Sequence, residues 1–580
     1  MHRHGAHLLD ATSARFALWA PDARSVSVIL EQQPAIALLP DEDGWYTGIG
    51  PARPGSNYHF LVDGKLQVAD PASRYQPEGV HGPSQVVDIA SYAWQHSWQG
   101  RPWHEAVIQE LHVGVLGGYE GVASHLPRLA ATGITAIELM PVGQFPGDRN
   151  WGYDGVLPFA AQHSYGSPQQ LCSLIDQAHG HGLMVMLDVV YNHFGPDGNF
   201  LHQYASPFFR EDRQTPWGAA IDFRRPQVRE YFIQNALMWL CDYRFDGLRL
   251  DAVHAIDQPD FLIELAQRVR AAVEPGRQVW LVLENEHNQA FLLEQGFDAQ
   301  WNDDGHNALH VLLTGETEGY YEDYRDKPID KLARCLGEGF VFQGDINRHG
   351  QPRGEPSGHL SPSAFVLFLQ NHDQIGNRAL GERLTRLCPP AALRAATGLL
   401  LLSPMIPLLF MADDDGSRAP FLFFTDFHDE LADAVREGRR GEFAHFAAFA
   451  DPEQRQRIPD PNARSTFDTS RPDGHDVLAG WHGLYQQLLA VRRTQLVPRL
   501  PGTRALGAEV LGDKALSASW RLGDGSTLRI DLNLAAQAQP LPQPAAGMRL
   551  FDSSNNAHPD THLSPYSCVV TLLPAGQEAP

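Results

Sequence analysis

The spacing of apolar residues changes character twice along the chain. From about residue 12 to 90, short runs (ARFALWAP, SVSVILE, GWYTGIG, NYHFLVDG, SQVVDI) are separated by turn clusters such as PDAR, PDEDG and PARPGS. Strands at this interval predict a small β-sandwich over residues 1–92. Trp19, Trp45, Tyr58 and Phe60 are assigned to its core, a sugar-stacking face being the alternative. From about 103 the runs become nearly continuous: AVIQELHV, GITAIELMPV, LMVMLDVVYNH, FDGLRLDAV, VWLVLEN, FDAQWND, AFVLFLQNHD and IPLLFMAD. Parallel strands covered on both faces read this way. Helical segments such as GVASHLPRLAAT, SPQQLCSLIDQAHGHG, RPQVREYFIQNALMWLCDYR and DFLIELAQRVRAAV lie between them. Eight strands in this rhythm predict a (β/α)8 TIM barrel over residues 103–497, ending in the helix DVLAGWHGLYQQLLAVRRT. Two long interruptions, about 305–362 and 413–476, sit beside strand ends, where inserts often build a substrate site. Beyond 498, LSASWRLG, TLRIDLNL and YSCVVTLLP, around the link AAQAQPLPQPAAG, predict a small C-terminal antiparallel β domain over residues 498–580.

The fourth barrel run, YRFDGLRLDAVHAI, carries the first chemical signal. Arg249 and Asp251 are two apart in a strand, so they share a face. An internal ion pair at a strand end would explain them alone. Polar groups, however, also end other barrel strands: Asn192 and His193 after the third, Glu284 on the fifth, and Asn371, His372 and Asp373 on the seventh. The C-terminal end of the strands is the functional end of such a barrel. Three carboxylates, two histidines and an arginine would meet there.

Charge narrows the substrate. A net charge of −24, from 69 acidic against 45 basic residues, argues against nucleic acid or an anionic membrane as partner. The first residues, MHRHGAHLLDATSARF, contain no signal-like apolar run, and no stretch is long enough to span a bilayer. Cys172, Cys241, Cys335, Cys388 and Cys568 are odd in number and lack CxxC spacing, as scattered reduced thiols of a cytoplasmic protein would be.

No HExxH or DxDxDG run is present, and an arginine among the carboxylates would repel a cation, so no metal is assigned. Glycoside hydrolysis fits better, needing one ionised carboxylate and one carboxylic acid across the scissile bond. Arg249 would keep Asp251 ionised, whereas Glu284, on an apolar strand, could stay protonated. The histidines would bond sugar hydroxyls, and Tyr153 in NWGYDG and Trp217 in TPWG offer flat faces to sugar rings.

DVVYNH, GLRLDAVHAI, LVLENE and QNHDQIGNR resemble, in order, the four signature segments of the α-amylase superfamily of retaining glycosidases. The resemblance implies Asp251 as nucleophile, Glu284 as general acid/base and Asp373 as transition-state stabiliser. It also implies that Tyr153, His193, Arg249 and His372 shape the subsite of the ring being cleaved. Asn192, Trp217, His254, Asn371 and Gln374 complete the candidate substrate-binding set. Within the superfamily, ELHVG, MPVGQFPGDRNWGYDGV, YNHFGPDGNFL, LTGETEGYY, QNHDQIGNRALGERL and PFLFFTDFHDEL…VREGRR resemble the malto-oligosyltrehalose trehalohydrolases. That implies hydrolysis of the α-1,4 bond joining a maltooligosaccharide to a terminal trehalose, without a cofactor. It also implies a pathway partner, maltooligosyl trehalose synthase, that makes the substrate, maltooligosyl trehalose. A glycogen or starch branching enzyme would share the scaffold, but its fourth segment usually runs SHDE. A non-catalytic glucan-binding homologue would lack one of Asp251, Glu284 and Asp373. One departure stands out: the family usually reads FMGEE after the eighth strand, whereas here Phe410 and Met411 precede Ala412, Asp413 and Asp414. If those acids touch trehalose hydroxyls, the shorter side chains would loosen its positioning.

Overall fold

The computed structural model describes residues 4–541, 547–554 and 561–576. Eight parallel strands close into a barrel: β1 (Ile108–Leu111), β2 (Ala136–Leu139), β3 (Met184–Val189), β4 (Gly247–Leu250), β5 (Trp280–Leu283), β6 (Ala299–Trp301), β7 (Phe365–Phe368) and β8 (Ile406–Phe410). Each of the eight runs read from the sequence supplies one strand, and β8 pairs with β1 to shut the ring.

Strand parity explains how the ring is filled. Ile108, Ala136, Met184, Met186, Trp280, Val282, Ala299, Trp301, Val366, Phe368, Ile406 and Leu408 form one buried cluster at alternate positions. Period two puts the next residues of the same parity on the same face, one layer nearer the strands' C-terminal end. These are Glu110, Glu138, Asp188, Arg249 and Glu284, with Asp251 one step further. On β1 to β5 an apolar floor therefore changes into a charged mouth within one pair of residues.

The helices begin where the sequence supplies starts. Pro168, Pro226 and Pro259 each open a helix, and Ser167 and Gln170 form a capping box before the helix Pro168–Gly180. The run expected to be helical through Arg244 departs from that expectation. The α-helix Pro226–Leu237 loosens into a π turn over Met238–Asp242, and Arg244 takes a positive φ of 63°. Between β5 and β6 the crossover helix shrinks to Ala290–Leu293.

Two antiparallel sheets precede the barrel, and Phe16 of one meets Tyr58 of the other edge to face at 5.0 Å. Trp19, Trp45, Tyr58 and Phe60 are all buried, so they are core and not a sugar-stacking face. This layer leans on the barrel: the Tyr231 hydroxyl, from the helix Pro226–Leu237, donates to the Pro71 carbonyl at 2.6 Å. A five-stranded antiparallel sheet follows the barrel, including two strands the pattern had not indicated, Arg504–Gly512 and Met548–Asp552. Within the link 535–547, residues 542–546 lie outside the described residues. The five cysteines are unpaired, and among the described residues no helix is long and apolar enough to cross a membrane.

Candidate active site

Arg249 is the hub of the mouth. It is fully buried, and its register partner across the β3–β4 ladder is Asp188. Its Nη1 donates to Asp188 at 2.7 and 2.8 Å and to Asp251 Oδ1 at 2.8 Å. Nη2 lies 2.9 Å from Glu284 Oε2 without hydrogen-bond geometry, so charge alone holds that contact. The Trp301 ring lies 4.1 Å from the guanidinium carbon and supports the cation from below. One guanidinium thus binds three carboxyl groups from β3, β4 and β5.

Asp251 and Glu284 are the first residues beyond β4 and β5, at the point where the ladder opens into loops. Asp251 also accepts from Asn192 Nδ2 at 2.8 Å. Burial alone would raise its carboxyl, but Arg249, His193 and the Asn192 bond outweigh that and hold it below the ordinary aspartate range. Glu284 goes the other way. Burial pushes it well above the usual glutamate value, with the charges of Asp251, Asp373 and Asp303 adding to the shift and Arg249 opposing it. The Ala252 N–H donates to Glu284 Oε2 at 2.8 Å, and Ala252 holds a left-handed φ of 41° to do so. A non-glycine residue in that region is strained by about 1–3 kcal/mol, which the flanking ladder must offset.

The opposite wall is built around His372. Its ring and its backbone N–H both donate to the Glu110 carboxylate, while Nε2 lies 3.5 Å from Asp373 Oδ1. Burial would lower the imidazole, but Glu110 and Asp373 raise it to about 9, so it is an imidazolium at neutral pH. Tyr153 stacks on it at 5.0 Å and donates to Asp188 Oδ2 at 2.6 Å. Asp373 stands at the start of the short helix His372–Gly376. Asn371 and Gln374 cap that helix, each side chain bonding the other's segment, and so seat Asp373, while the Asn371 Nδ2 keeps no protein partner.

His193 bonds the Tyr153 carbonyl at 3.0 Å and lies under Trp217 in a near-parallel stack at 4.9 Å. Trp217 is 46% exposed and turns its outer face to solvent. His254 sits on the Glu284 side, 5.6 Å from the His287 ring, its Nδ1 accepting from the Glu286 N–H at 3.4 Å. The sequence reading missed Glu110, Glu138, Asp188 and Asp303 in the mouth, and Trp301 just beneath it. Parity gave no signal for Glu110, Glu138 and Asp188, because β1, β2 and β3 are buried at every position.

The altered segment after β8 lies outside this mouth. Ala412 takes a φ of 63°, where a glycine would be at ease. Asp413 accepts from Gln370 at 2.6 Å and Arg383 at 3.0 Å, and the fully buried Asp414 accepts from Gln109 at 2.8 Å and Arg128 at 2.5 Å. These acids tie β8 to β1 and β7 and do not offer themselves to a sugar. Asp414, Asp415 and His482 are also close enough to hold a metal, but Arg128 already supplies the cation, 3.0 Å from Asp415.

Residues 88–217 match the alpha amylase catalytic domain model, and residues 503–570 match a domain of unknown function. The malto-oligosyltrehalose trehalohydrolase of Deinococcus radiodurans is 40% identical, over 84% of this chain and 82% of that one. The one from Rhizobium sp. strain M-11 is 37% identical over 93% and 94%. A solved structure from Salmonella typhimurium, described as a candidate alpha amylase, superposes with a TM-score of 0.93 at 41% identity, covering 99% of this chain and all of that one. With that identity spread over most of both chains, this chain belongs to the malto-oligosyltrehalose trehalohydrolases of the α-amylase family.

Proposed function

We propose that the chain hydrolyses maltooligosyl trehalose at the α-1,4 bond before the terminal trehalose, releasing trehalose with retention at the anomeric carbon. The observation that carries this reading is the pair of carboxyl groups on one guanidinium, Asp251 biased towards the anion and Glu284 towards the acid. In the first step Glu284 gives its proton to the glycosidic oxygen as the bond from that oxygen to C1 breaks. An Asp251 oxygen bonds to C1 from the opposite face. Water then attacks C1, its proton goes to Glu284, and Asp251 leaves as a carboxylate. This route needs the two carboxyl groups roughly 5–5.5 Å apart. Asp373, beside the His372 imidazolium, holds ring hydroxyls as the ring flattens, and Tyr153 and His193 line the same ring. A reaction that converts the reducing end of a maltodextrin into a trehalosyl end must supply the substrate, the role of a maltooligosyl trehalose synthase.

Product analysis tests the reading, with maltotriosyl-trehalose and maltopentaose offered at equal concentration. Rapid release of trehalose from the first, with little action on the second, is expected. Longer or branched glucans without free trehalose would replace the reading with a branching enzyme, and inertness towards both with a glucan-binding protein.

The pH profile is a second test. Asp251 must be ionised and Glu284 protonated, so kcat/KM rises through the lowered Asp251 range and falls when Glu284 ionises, above the ordinary carboxylate range. Glu284→Gln, assayed with α-maltotriosyl fluoride, whose leaving group needs no proton, should lose the alkaline limb. A limb that survives in this variant would assign it to another group.

A further inference from the structure

Asp303 stands at a point of the mouth that the mechanism leaves unused. It follows Ala299 and Trp301 in the parity that fills the barrel interior, and it is the first residue of the helix Asp303–Thr314. Its neighbour Asp304 is fully engaged: it accepts from Asn288 Nδ2 at 2.9 Å, the Val341 N–H at 2.6 Å and the Tyr324 hydroxyl, with Arg353 at 3.3 Å. Among the described residues, by contrast, none hydrogen-bonds or closely ion-pairs with the Asp303 carboxylate. Its charge nevertheless reaches Glu284, and it feels Asp373, Arg249 and Arg353. A half-buried carboxylate kept without a donor is costly unless something else supplies one.

Position around the ring identifies that donor. Asp251 on β4 approaches C1 from one side, and Glu284 on β5 reaches the glycosidic oxygen, which belongs to the departing sugar. Asp303 follows β6, one strand further round than Glu284 and two from Asp251. A carboxylate is an acceptor only, and a departing sugar presents hydroxyl donors. We infer that Asp303 accepts hydrogen bonds from hydroxyls of the leaving sugar and so positions the trehalose unit beside Glu284. This rests on the mechanism proposed above. Burial, with the charges of Asp304 and Asp373, raises Asp303 to about 7, and hydroxyl donors would stabilise its anion once substrate arrives.

The alternative is that Asp303 merely favours its helix, an acid at an N-terminus being stabilising. Leaving-group dependence separates the two. Asp303→Ala and Asp303→Asn are compared with the unaltered enzyme on maltotriosyl-trehalose and on a nitrophenyl α-maltotrioside, whose departing group has no sugar hydroxyls. Loss of hydrogen bonds to a charged group should lower kcat/KM on the trehalosyl substrate about 10-fold or more in Asp303→Ala. Asp303→Asn, whose amide oxygen still accepts, should lose less. Nitrophenol release should stay within about 2-fold in both variants. Equal losses on both substrates would overturn the inference in favour of a structural role or one acting through Glu284, and no loss on either would also overturn it. If the unaltered enzyme does not prefer maltotriosyl-trehalose to maltopentaose, the trehalohydrolase reading fails separately. The same comparison then runs with maltopentaose, whose leaving sugar also carries hydroxyls, and the same losses decide it.

Discussion

Asp251→Ala should abolish turnover while leaving the barrel folded. The proposed route needs a carboxylate to bond to C1, and neither other carboxyl on the Arg249 guanidinium can replace it: Asp188 is buried behind Arg249, and Glu284 is the acid. A loss in kcat of about 10⁴-fold or more is expected, the scale seen when a covalent nucleophile is removed from an enzyme that keeps its remaining site. Stability should barely suffer. Arg249 keeps Asp188 at 2.7 Å and Glu284 at 2.9 Å, so no buried cation is left unpaired, and the strained Ala252 is still held by Glu284. Steady-state rates on maltotriosyl-trehalose, with a thermal melt of the same preparation, would check both halves. Residual hydrolysis at a few per cent would remove Asp251 from the mechanism. A collapse of the melt would show that its contacts to Arg249 and Asn192 matter more to the fold than to the chemistry.

Much of this site was legible before any coordinates, and the reasons for the gaps are physical. Arg249 and Asp251 announced themselves because polar residues alternate visibly with Leu248 and Leu250. Glu110, Glu138 and Asp188 stood equally close to strand ends. In a strand buried on both faces, however, an apolar run does not reveal which parity looks inward. That phase follows only once the ring closes and Met184 and Met186 are seen inside it. Asp303 was hidden differently, since it opens a helix and the period of two stops at Trp301. Loop-borne contacts had no local signal at all. Trp217 reaches His193 from the hairpin made by Phe209–Thr215 and Gly218–Ile221, and Tyr153 covers His372 from far along the chain. The shortened acids after β8 are the opposite case. A family pattern raised the question whether Asp413 and Asp414 touch substrate, and Arg383 and Arg128 are found to hold them.

The opposite balance of effects is expected for Arg249→Met, which should cost stability and activity together. Methionine fills much of the space but leaves Asp188, Asp251 and Glu284 facing one another without the cation that compensates them. Removing one partner from a buried ionic cluster destabilises by about 3–5 kcal/mol, because the charges left behind stay desolvated. The loss should depend on pH in a definite direction. Burial already raises Asp188 to about 6 and Glu284 well above its ordinary value, and without Arg249 both rise further. A carboxyl raised in the folded state binds more protons folded than unfolded. Its contribution is therefore full below the unfolded value and is lost as pH climbs through the folded one. The variant should thus come closest to the unaltered protein near pH 4–5 and fall furthest behind above about pH 7, where folding must keep those carboxyls protonated or bury their charge. Activity should drop at least about 100-fold even where the variant is folded, since Asp251 would no longer be held as the anion. Denaturant melts at several pH values, read beside initial rates, give both quantities. A deficit that does not grow between pH 5 and pH 8 would mean that Arg249 supports the mouth by packing on Trp301 and not by its charge.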